Sequence, residues 1–348
     1  MYTFPKGIYS DVRIEDVFET KIELTDGRLD EIKEKEYKGA FIRVFDGKRW
    51  YYSATSDIEG IQNELDELAK LADPNDEIEN HPVVKKFEVN QGDFCEFMGD
   101  KDISSTHIDE KKNLIEAYTA LLKGDKTISS LKSYYVDKRK RKSFHSSKGA
   151  RLTFDFQMAG LRLSFSLKSG EKLFSESYDC ASAAFGDLKN KDKEIKERFN
   201  QAVEFLNNAQ DIQPGKYTVI FSPLAAGVFA HESFGHKSES DFMVGDETMR
   251  KEWTLGKKVG ADLLSIIDDG NPAGSGHVTF DDEGTRANKT YLIKEGFLTG
   301  RLHSAATAAY LDEAVTGNGR AINFEYEPIV RMTTTYIDKG SKTLDELV

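Results

Sequence analysis

Apolar and polar residues alternate with a period of two over long stretches of the chain. In "RLTFDFQMAGLRLSFSLKSG" (151–170), Leu152, Phe154, Phe156 and Met158, then Leu161, Leu163, Phe165 and Leu167, fall at alternate positions. This pattern predicts long antiparallel strands with one wetted face. The change of phase at Ala159 and Gly160 predicts a β-bulge. "GAFIRVFDGKRWYYSATSD" (39–57) has short alternating runs around an Asp-Gly-Lys turn, a hairpin signal. Helical spacing appears in three places. Ile58, Ile61, Leu65, Leu68 and Leu71 follow a Ser56/Glu59 capping box. Ile108, Ile115, Tyr118 and Leu122 mark a second helix over 106–123, closed by Gly124. Ile195, Phe199, Val203 and Leu206 mark a third over about 190–208.

Between the first two helices, "DPNDEIENHPV" breaks the pattern with prolines and acids and is expected to be a linker near 73–84. "DIQPGKYTVIFSP" (211–223) predicts a linker followed by a strand, which places the main boundary near Pro214. The expected class is therefore α+β. Residues 1–213 form an N-terminal region of antiparallel or mixed sheet with packed helices, with a sub-boundary near 73–84. Residues 214–348 form a second, mostly β domain. It contains a hairpin at "KTYLIKEGFLTGRLHS" (289–304) and ends in "SKTLDELV", the start of a helix.

A length of 348 residues suits two domains, and 39% apolar with 31% charged residues suits a soluble globular protein. The net charge of −12 gives no electrostatic attraction to nucleic acid or anionic lipid, so neither is an expected partner. No apolar run is long enough to span a membrane, and the first residues lack the order of a signal peptide; the cytoplasm is the expected location. Cys95 and Cys180 have no CxxC partner, which argues against a disulfide framework or a thiolate metal cluster. The basic run 138–142 is expected to be a solvated hairpin turn. The "GSG" at 274–276 lacks the Lys-Ser/Thr of a phosphate loop and is expected to be a mobile loop.

Against this background, "LAAGVFAHESFGHKSESDF" (224–242) stands out. A small, apolar, helix-like run, expected to be buried, leads into His231-Glu232 and then His236. In H-E-x-x-H zinc proteases the histidines lie four apart, on one helical face. Residues five apart point about 140° away from each other on a regular α-helix. A π-bulge would absorb the extra residue, and a break at Gly235 would serve equally. Spacing alone leaves a metal pair and an unrelated pair of histidines evenly balanced.

"HESFGHKSESDF" also resembles the H-E-x-x-x-H segment of the TldD/PmbA (modulator of DNA gyrase) family, continued here by His236, Glu239 and Asp241. "DDEGT" (281–285), "LIKEGFLTG" (292–300), "TGNGR" (316–320) and "RMTTTYI" (331–337) match in family order, and residues 39–57 fit more loosely. The intact motif places the chain on the TldD side. The resemblance implies a cytoplasmic zinc metalloprotease acting on peptides or unfolded polypeptides. It also implies a dimer, either of one chain or with a TldE/PmbA-like subunit. His231 and His236 would ligate Zn2+, Glu232 would be the general base, and Glu239 and Asp241 would orient an imidazole. Thr316, Gly317, Asn318 and Gly319 would line the peptide groove with backbone amides. The family's third zinc ligand is a cysteine beyond "RMTTTY", whereas Cys95 and Cys180 lie in the N-terminal region. The expectation is thus a chain lacking the C-terminal part, with an open sheet edge and weak zinc retention. Two alternatives stand beside this one: a non-catalytic peptide-binding or scaffold subunit, and a site completed by Glu239 as third ligand.

Overall fold

A computed structural model describes residues 2–272, 274 and 276–348. Ser275, in the middle of the "GSG" stretch, lies outside the described residues. Its largest sheet runs β3-β2-β1-β5-β6-β4, with β7 also pairing β6. The strands are β1 (Tyr9–Thr25), β2 (Arg28–Phe45), β3 (Trp50–Thr55), β4 (Gln91–Phe94), β5 (Ile128–Ser146), β6 (Arg151–Ser169) and β7 (Lys172–Ser182). All pairs are antiparallel except β4 with β6. Four helices accompany them: α1 (Ile61–Ala69), α2 (Pro82–Lys86), α3 (Ile108–Leu122) and α4 (Asp192–Asn208).

The phase change in β6 has a cause other than a bulge. Pairing with β5 runs without a register shift through Ala159↔Asp137 and Gly160↔Val136. What changes is the covered face. Leu161, Leu163, Phe165 and Leu167 face α3 and α4, packing with Ile115, Tyr118, Ile195 and Phe199. Leu152 and Phe154 point to the opposite face and pack with Phe144 and Phe280. In β1, Val12 packs beside Ile42 and Val44 of β2 under α1. Its odd neighbours Asp11, Arg13 and Glu15 are buried on the other face. One sheet therefore carries helices on one side and the C-terminal region on the other.

The three expected helices form, with shifted starts. Helix α1 has Gly60 at its N-cap, where the Asp57 carboxylate accepts the Gly60 N–H at 3.1 Å; the Ser56/Glu59 capping box is not made. Within the expected linker, Ile78 and Val84 are buried against Tyr9, Phe45 and Phe87. The basic run is not a turn: it lies within β5. Antiparallel pairing sets Lys138 opposite Glu19, Arg141 opposite Asp16 and Lys142 opposite Glu15. Carboxylates of β1 thus face a cluster that looks unpaired along the sequence, Lys138 pairing with Glu19 and Arg139 with Asp16.

After α4 the chain has no regular structure until α5 (Pro223–Ala230). The strand expected at 217–221 does not form: Tyr217, Val219, Ile220 and Phe221 are exposed and no described strand lies alongside. Helix α5 is also less buried than its composition predicts, with Leu224, Val228 and Phe229 exposed and only Ala230 buried. A four-stranded antiparallel sheet follows in the order β10 (Phe297–Leu298), β9 (Lys289–Lys294), β8 (Ile266–Asp269), β13 (Thr334–Ile337). The expected hairpin joins β9 to β10 through Glu295 and Gly296, both at positive φ. Helices α6 (Glu247–Glu252) and α7 (Ala305–Leu311) and the short pair β11 (Gly319–Arg320) and β12 (Ile329–Val330) complete the region. Residues 343–348 form turns rather than a helix. The class is α+β, as expected.

The "DDEGT" loop bolts the two regions together. Arg43 of β2 bridges Asp11 at 2.7 Å and Glu283 at 3.0 Å, all three side chains being buried. Lys142 reaches Asp282 at 2.5 Å. Gly284 takes φ +74°, and a Cβ there would lie 2.6 Å from the Phe144 ring, so both conformation and space call for glycine. Burying Phe280 beside this loop contributes about 2 kcal/mol.

Candidate metal centre

The site begins at an ordinary helix start. Ser222 caps α5, its hydroxyl accepting the Ala225 N–H at 3.3 Å, and Pro223 occupies the first turn, where its missing N–H costs nothing. After Ala230 the helix widens into a π-turn, His231–Gly235, and the His236 N–H donates to the His231 carbonyl five residues back. The wider turn absorbs the extra residue of H-E-x-x-x-H. It brings the two imidazoles to a centroid distance of 4.8 Å with their planes at 82°.

Gly235 serves this turn differently from the role expected of it. Its backbone is ordinary right-handed helix, φ −59° and ψ −58°, so the helix does not break there. A Cβ at Gly235 would lie 2.1 Å from the Met332 sulfur. The glycine is needed for close approach of the motif to the segment after β12.

One ligand atom from each of His231, Glu232 and His236 lies within 4.8 Å of the others. Tetrahedral zinc with bonds of about 2.1 Å separates its ligand atoms by about 3.4 Å, within reach of small side-chain rotations. The two imidazoles suit Zn2+ as ligands, and the Glu232 carboxylate lies close enough to reach a water held there. Glu232 is exposed and His231 half-buried, as a substrate-facing site requires. Among the described residues no other group of three such side chains comes together.

Glu239 lies fully buried behind His236. Its carboxylate is 3.3 Å from His236 Nδ1 and accepts from Arg331 at 3.1 Å. That contact commits Nδ1 and leaves Nε2 for a metal. Glu239 does not join the His231–Glu232–His236 group. Asp241 sits at Val330, whose backbone N–H it accepts; burial, the larger influence, raises its carboxyl above the ordinary range. Among the described residues no hydrogen bond joins Asp241 to either histidine. Cys95 lies by Asp93 and Asp155, its thiol pushed up to about 12, chiefly by burial. Cys180 is on β7 opposite Leu161. Neither cysteine belongs to the cluster.

The "TGNGR" segment is held by buried acids. Gly319 N–H donates to Asp281 at 2.8 Å, and the Asn318 side chain donates to Asp268 at 2.9 Å. The Thr316 hydroxyl accepts the His303 N–H at 2.7 Å. Gly317, at φ +75°, packs against the backbone of Arg286 and Ala287. The cleft that contains His231 and His236, about 760 Å³, is lined instead by the next two residues, Arg320 and Ala321, with Lys140 and Arg331. Sequence reasoning missed Arg320, Arg331 and Lys140. The two arginines lie inside recognised motifs but carried no role there, and Lys140 was hidden in the basic run.

A second constellation links Ser240, His303 and Glu313, at 3.0 and 2.9 Å. Ser240 and His303 are almost fully buried and the serine hydroxyl donates to the Leu302 carbonyl, so it is a structural brace rather than a nucleophile.

Comparison with known proteins places the chain among relatives of one family. Residues 214–348 match the family description "PmbA/TldA metallopeptidase C-terminal domain", and residues 10–73 match "PmbA/TldA metallopeptidase domain 1". A metalloprotease of Synechocystis sp. is 30% identical over 98% of this chain and 73% of its own length. A metalloprotease of Methanocaldococcus jannaschii is 31% identical over 98% of this chain and 76% of its own. A protein of Saccharolobus solfataricus named zinc metalloprotease TldD homolog is 25% identical over 97% of this chain and 74% of its own length. Among solved structures, a Thermotoga maritima protein superposes with a TM-score of 0.79 at 20% identity, covering 98% of this chain and 76% of the other. TldE of Thermococcus kodakarensis superposes with a TM-score of 0.71 at 16% identity, covering 97% and 76%; these two likenesses speak to the fold. No helix among the described residues is long and apolar enough to cross a membrane. The chain belongs to the PmbA/TldD family of metallopeptidases.

Proposed function

We propose that this chain is the catalytic subunit of a zinc-dependent peptidase that hydrolyses peptides or unfolded polypeptides. The observation that carries the proposal is the π-turn that sets His231, Glu232 and His236 within 4.8 Å of one another beside an open cleft. His231 and His236 hold the ion, and Glu239 fixes the His236 ring through Nδ1. Zinc, when bound, supplies a Lewis acid that acidifies water and polarises a scissile carbonyl. Glu232 takes the proton from the attacking water and passes it to the leaving amine. Its exposure leaves the side chain free to swing between those two positions. Asp241, two residues after Glu239, accepts the Val330 N–H of β12 and so ties the Glu239 segment to that strand. Residues 1–213 and 214–348 act as two domains, with the cleft where they meet, and Thr316 to Gly319 shape one wall by placing Arg320.

A cytoplasmic dimer, of two copies or with a TldE-like partner, is the assembly we propose; the fold likeness to TldE supports a partner of the same architecture. A peptide-binding subunit without hydrolysis would use the same cleft but would leave the Glu232–histidine geometry without purpose. The test is a zinc titration against a chromogenic chelator. One zinc per chain, held weakly with two histidine ligands and lost in His231→Ala and in His236→Ala, supports the site. Equal zinc binding by these variants and the unmodified chain sinks it.

A further inference from the structure

Two cavities meet at Arg320. The larger is the cleft of about 760 Å³ that contains His231 and His236. A smaller one of about 130 Å³ lies beside Lys142, Phe154 and Phe280 and shares Lys140, Arg320 and Ala321 with the cleft. Arg320 and Lys140 are therefore the charged side chains common to the metal-site cleft and the pocket next to it.

Its backbone is clamped on both sides. Gly319 N–H donates to Asp281 at 2.8 Å, and Ala321 N–H donates to Asp282 at 2.8 Å. Gly319 and Arg320 also pair with Val330 and Ile329 in the β11–β12 ribbon. The side chain is less committed. One guanidinium nitrogen donates to the Met332 carbonyl. Among the described residues no carboxylate comes within ion-pair distance of Arg320. A guanidinium carries five N–H donors, so most of its capacity is open to the cleft.

The neighbouring charges add to this. Arg13, Lys140 and Lys142 surround Glu15 at 3.4 to 3.5 Å, and Lys142 and Arg13 also serve Asp282. Three cations thus share two carboxylates before Arg320 is counted. Both oxygens of Glu15 lack a hydrogen-bond partner, so these are loose, through-space pairings. Burial, the largest influence, holds Lys140 below the ordinary lysine value, against the opposing pull of Glu15. Elsewhere in the cleft Arg331 pairs with Glu239, and Glu327 accepts a hydrogen bond from the Tyr52 hydroxyl, a neutral partner. On a chain of net charge −12, this junction is a local positive site facing an open cavity.

We propose that Arg320, with Lys140 beside it, is a carboxylate-recognition subsite that selects peptides presenting a carboxylate close to the bond to be cleaved. The subsite rests on the peptidase reading for its purpose, but the binding it predicts needs no hydrolysis. The carboxylate would come from the peptide's C-terminus or from an Asp or Glu side chain. Either source presents the planar pair of oxygens that a guanidinium fork takes bidentately.

The experiment is isothermal titration calorimetry of the zinc-loaded Glu232→Gln chain, so that bound peptides are not consumed. Four hexapeptides of alanine and serine are compared: free acid, C-terminal amide, and the amide form with one internal Glu or one internal Gln. The expected result is that a carboxylate tightens binding by about tenfold over its amide counterpart. A gain confined to the free acid identifies the C-terminus as the source; a gain with internal Glu identifies the side chain. Arg320→Gln is expected to erase the difference between acid and amide, and Arg320→Lys to keep part of it. Equal affinity for all four peptides overturns the proposal without reference to any variant. If peptides bind with this preference but the unmodified chain hydrolyses none of them, the subsite stands and the peptidase reading fails.

Discussion

The contact between Gly235 and Met332 gives a sharp test of the π-turn. Gly235 sits in right-handed helical backbone, so Gly235→Ala on propensity alone would stabilise the chain by up to about 1 kcal/mol. The structure predicts the opposite. The new Cβ would lie 2.1 Å from the Met332 sulfur, which must retreat by more than 1 Å to restore ordinary contact. Met332 is only 6% exposed, and it packs in the core with Ala230, Trp253 and Leu298, so it has little room to move. Forcing a methyl into such a core costs about 1–3 kcal/mol. The net expectation is a loss of about 1–2 kcal/mol, which lowers the melting temperature by roughly 2–5 °C. Met332→Ala removes the obstacle. In a double-mutant cycle read by thermal unfolding, the two substitutions should couple favourably by about 1 kcal/mol or more. A Gly235→Ala chain more stable than the parent, with no coupling to Met332, would refute the close-approach account.

Three further outcomes are expected. Glu239→Gln should weaken zinc binding about 10–100-fold in a chelator competition, because it loosens the His236 ring, and Asp241→Asn should have a far smaller effect. Arg43→Met leaves the buried carboxylates of Asp11 and Glu283 without their cation and should cost about 3–5 kcal/mol, read as a lower urea midpoint. Burial alone would raise the Asp282 carboxyl, but Lys142 and then Arg13 outweigh it and hold the group well below the ordinary carboxylate range. A depressed acid contributes its stability above its unfolded pKa and loses it as pH falls through the folded value. Unfolding midpoints of the parent should therefore decline below about pH 4, and Asp282→Asn should start lower and decline less steeply.

The parts of the fold written in short-range pattern were legible. The three N-terminal helices follow from apolar spacing, and the β9–β10 hairpin follows from Glu295-Gly296 between alternating runs. What failed depended on partners distant in sequence. The phase change in β6 looks like a bulge along one strand, and only the two-sided covering of the sheet explains it. The run at 138–142 looked like a solvated turn because its counter-charges are on β1, more than a hundred residues earlier. Residues 217–221 have strand composition but no strand beside them, and hydrophobicity alone does not supply a hydrogen-bonding partner.

The candidate site was legible to a similar depth. The three residues of the motif come together because a π-turn, one of two geometries open to that spacing, is the one adopted. The role given to Gly235 was wrong in mechanism, since its need for space is set by Met332, almost a hundred residues away. Arg320 and Arg331 were hidden for the same reason: a charged residue in a glycine-rich or β-rich segment announces nothing until the cavity it faces is known.

In the proposed mechanism Glu232 acts as a base beside an ion held by His231 and His236. The most direct measurement compares peptide hydrolysis and bound zinc in the zinc-loaded chain and in Glu232→Gln. Hydrolysis by the parent, its loss in the variant and the same zinc content in both are expected. Hydrolysis that persists in Glu232→Gln at the parent's rate would contradict that mechanism.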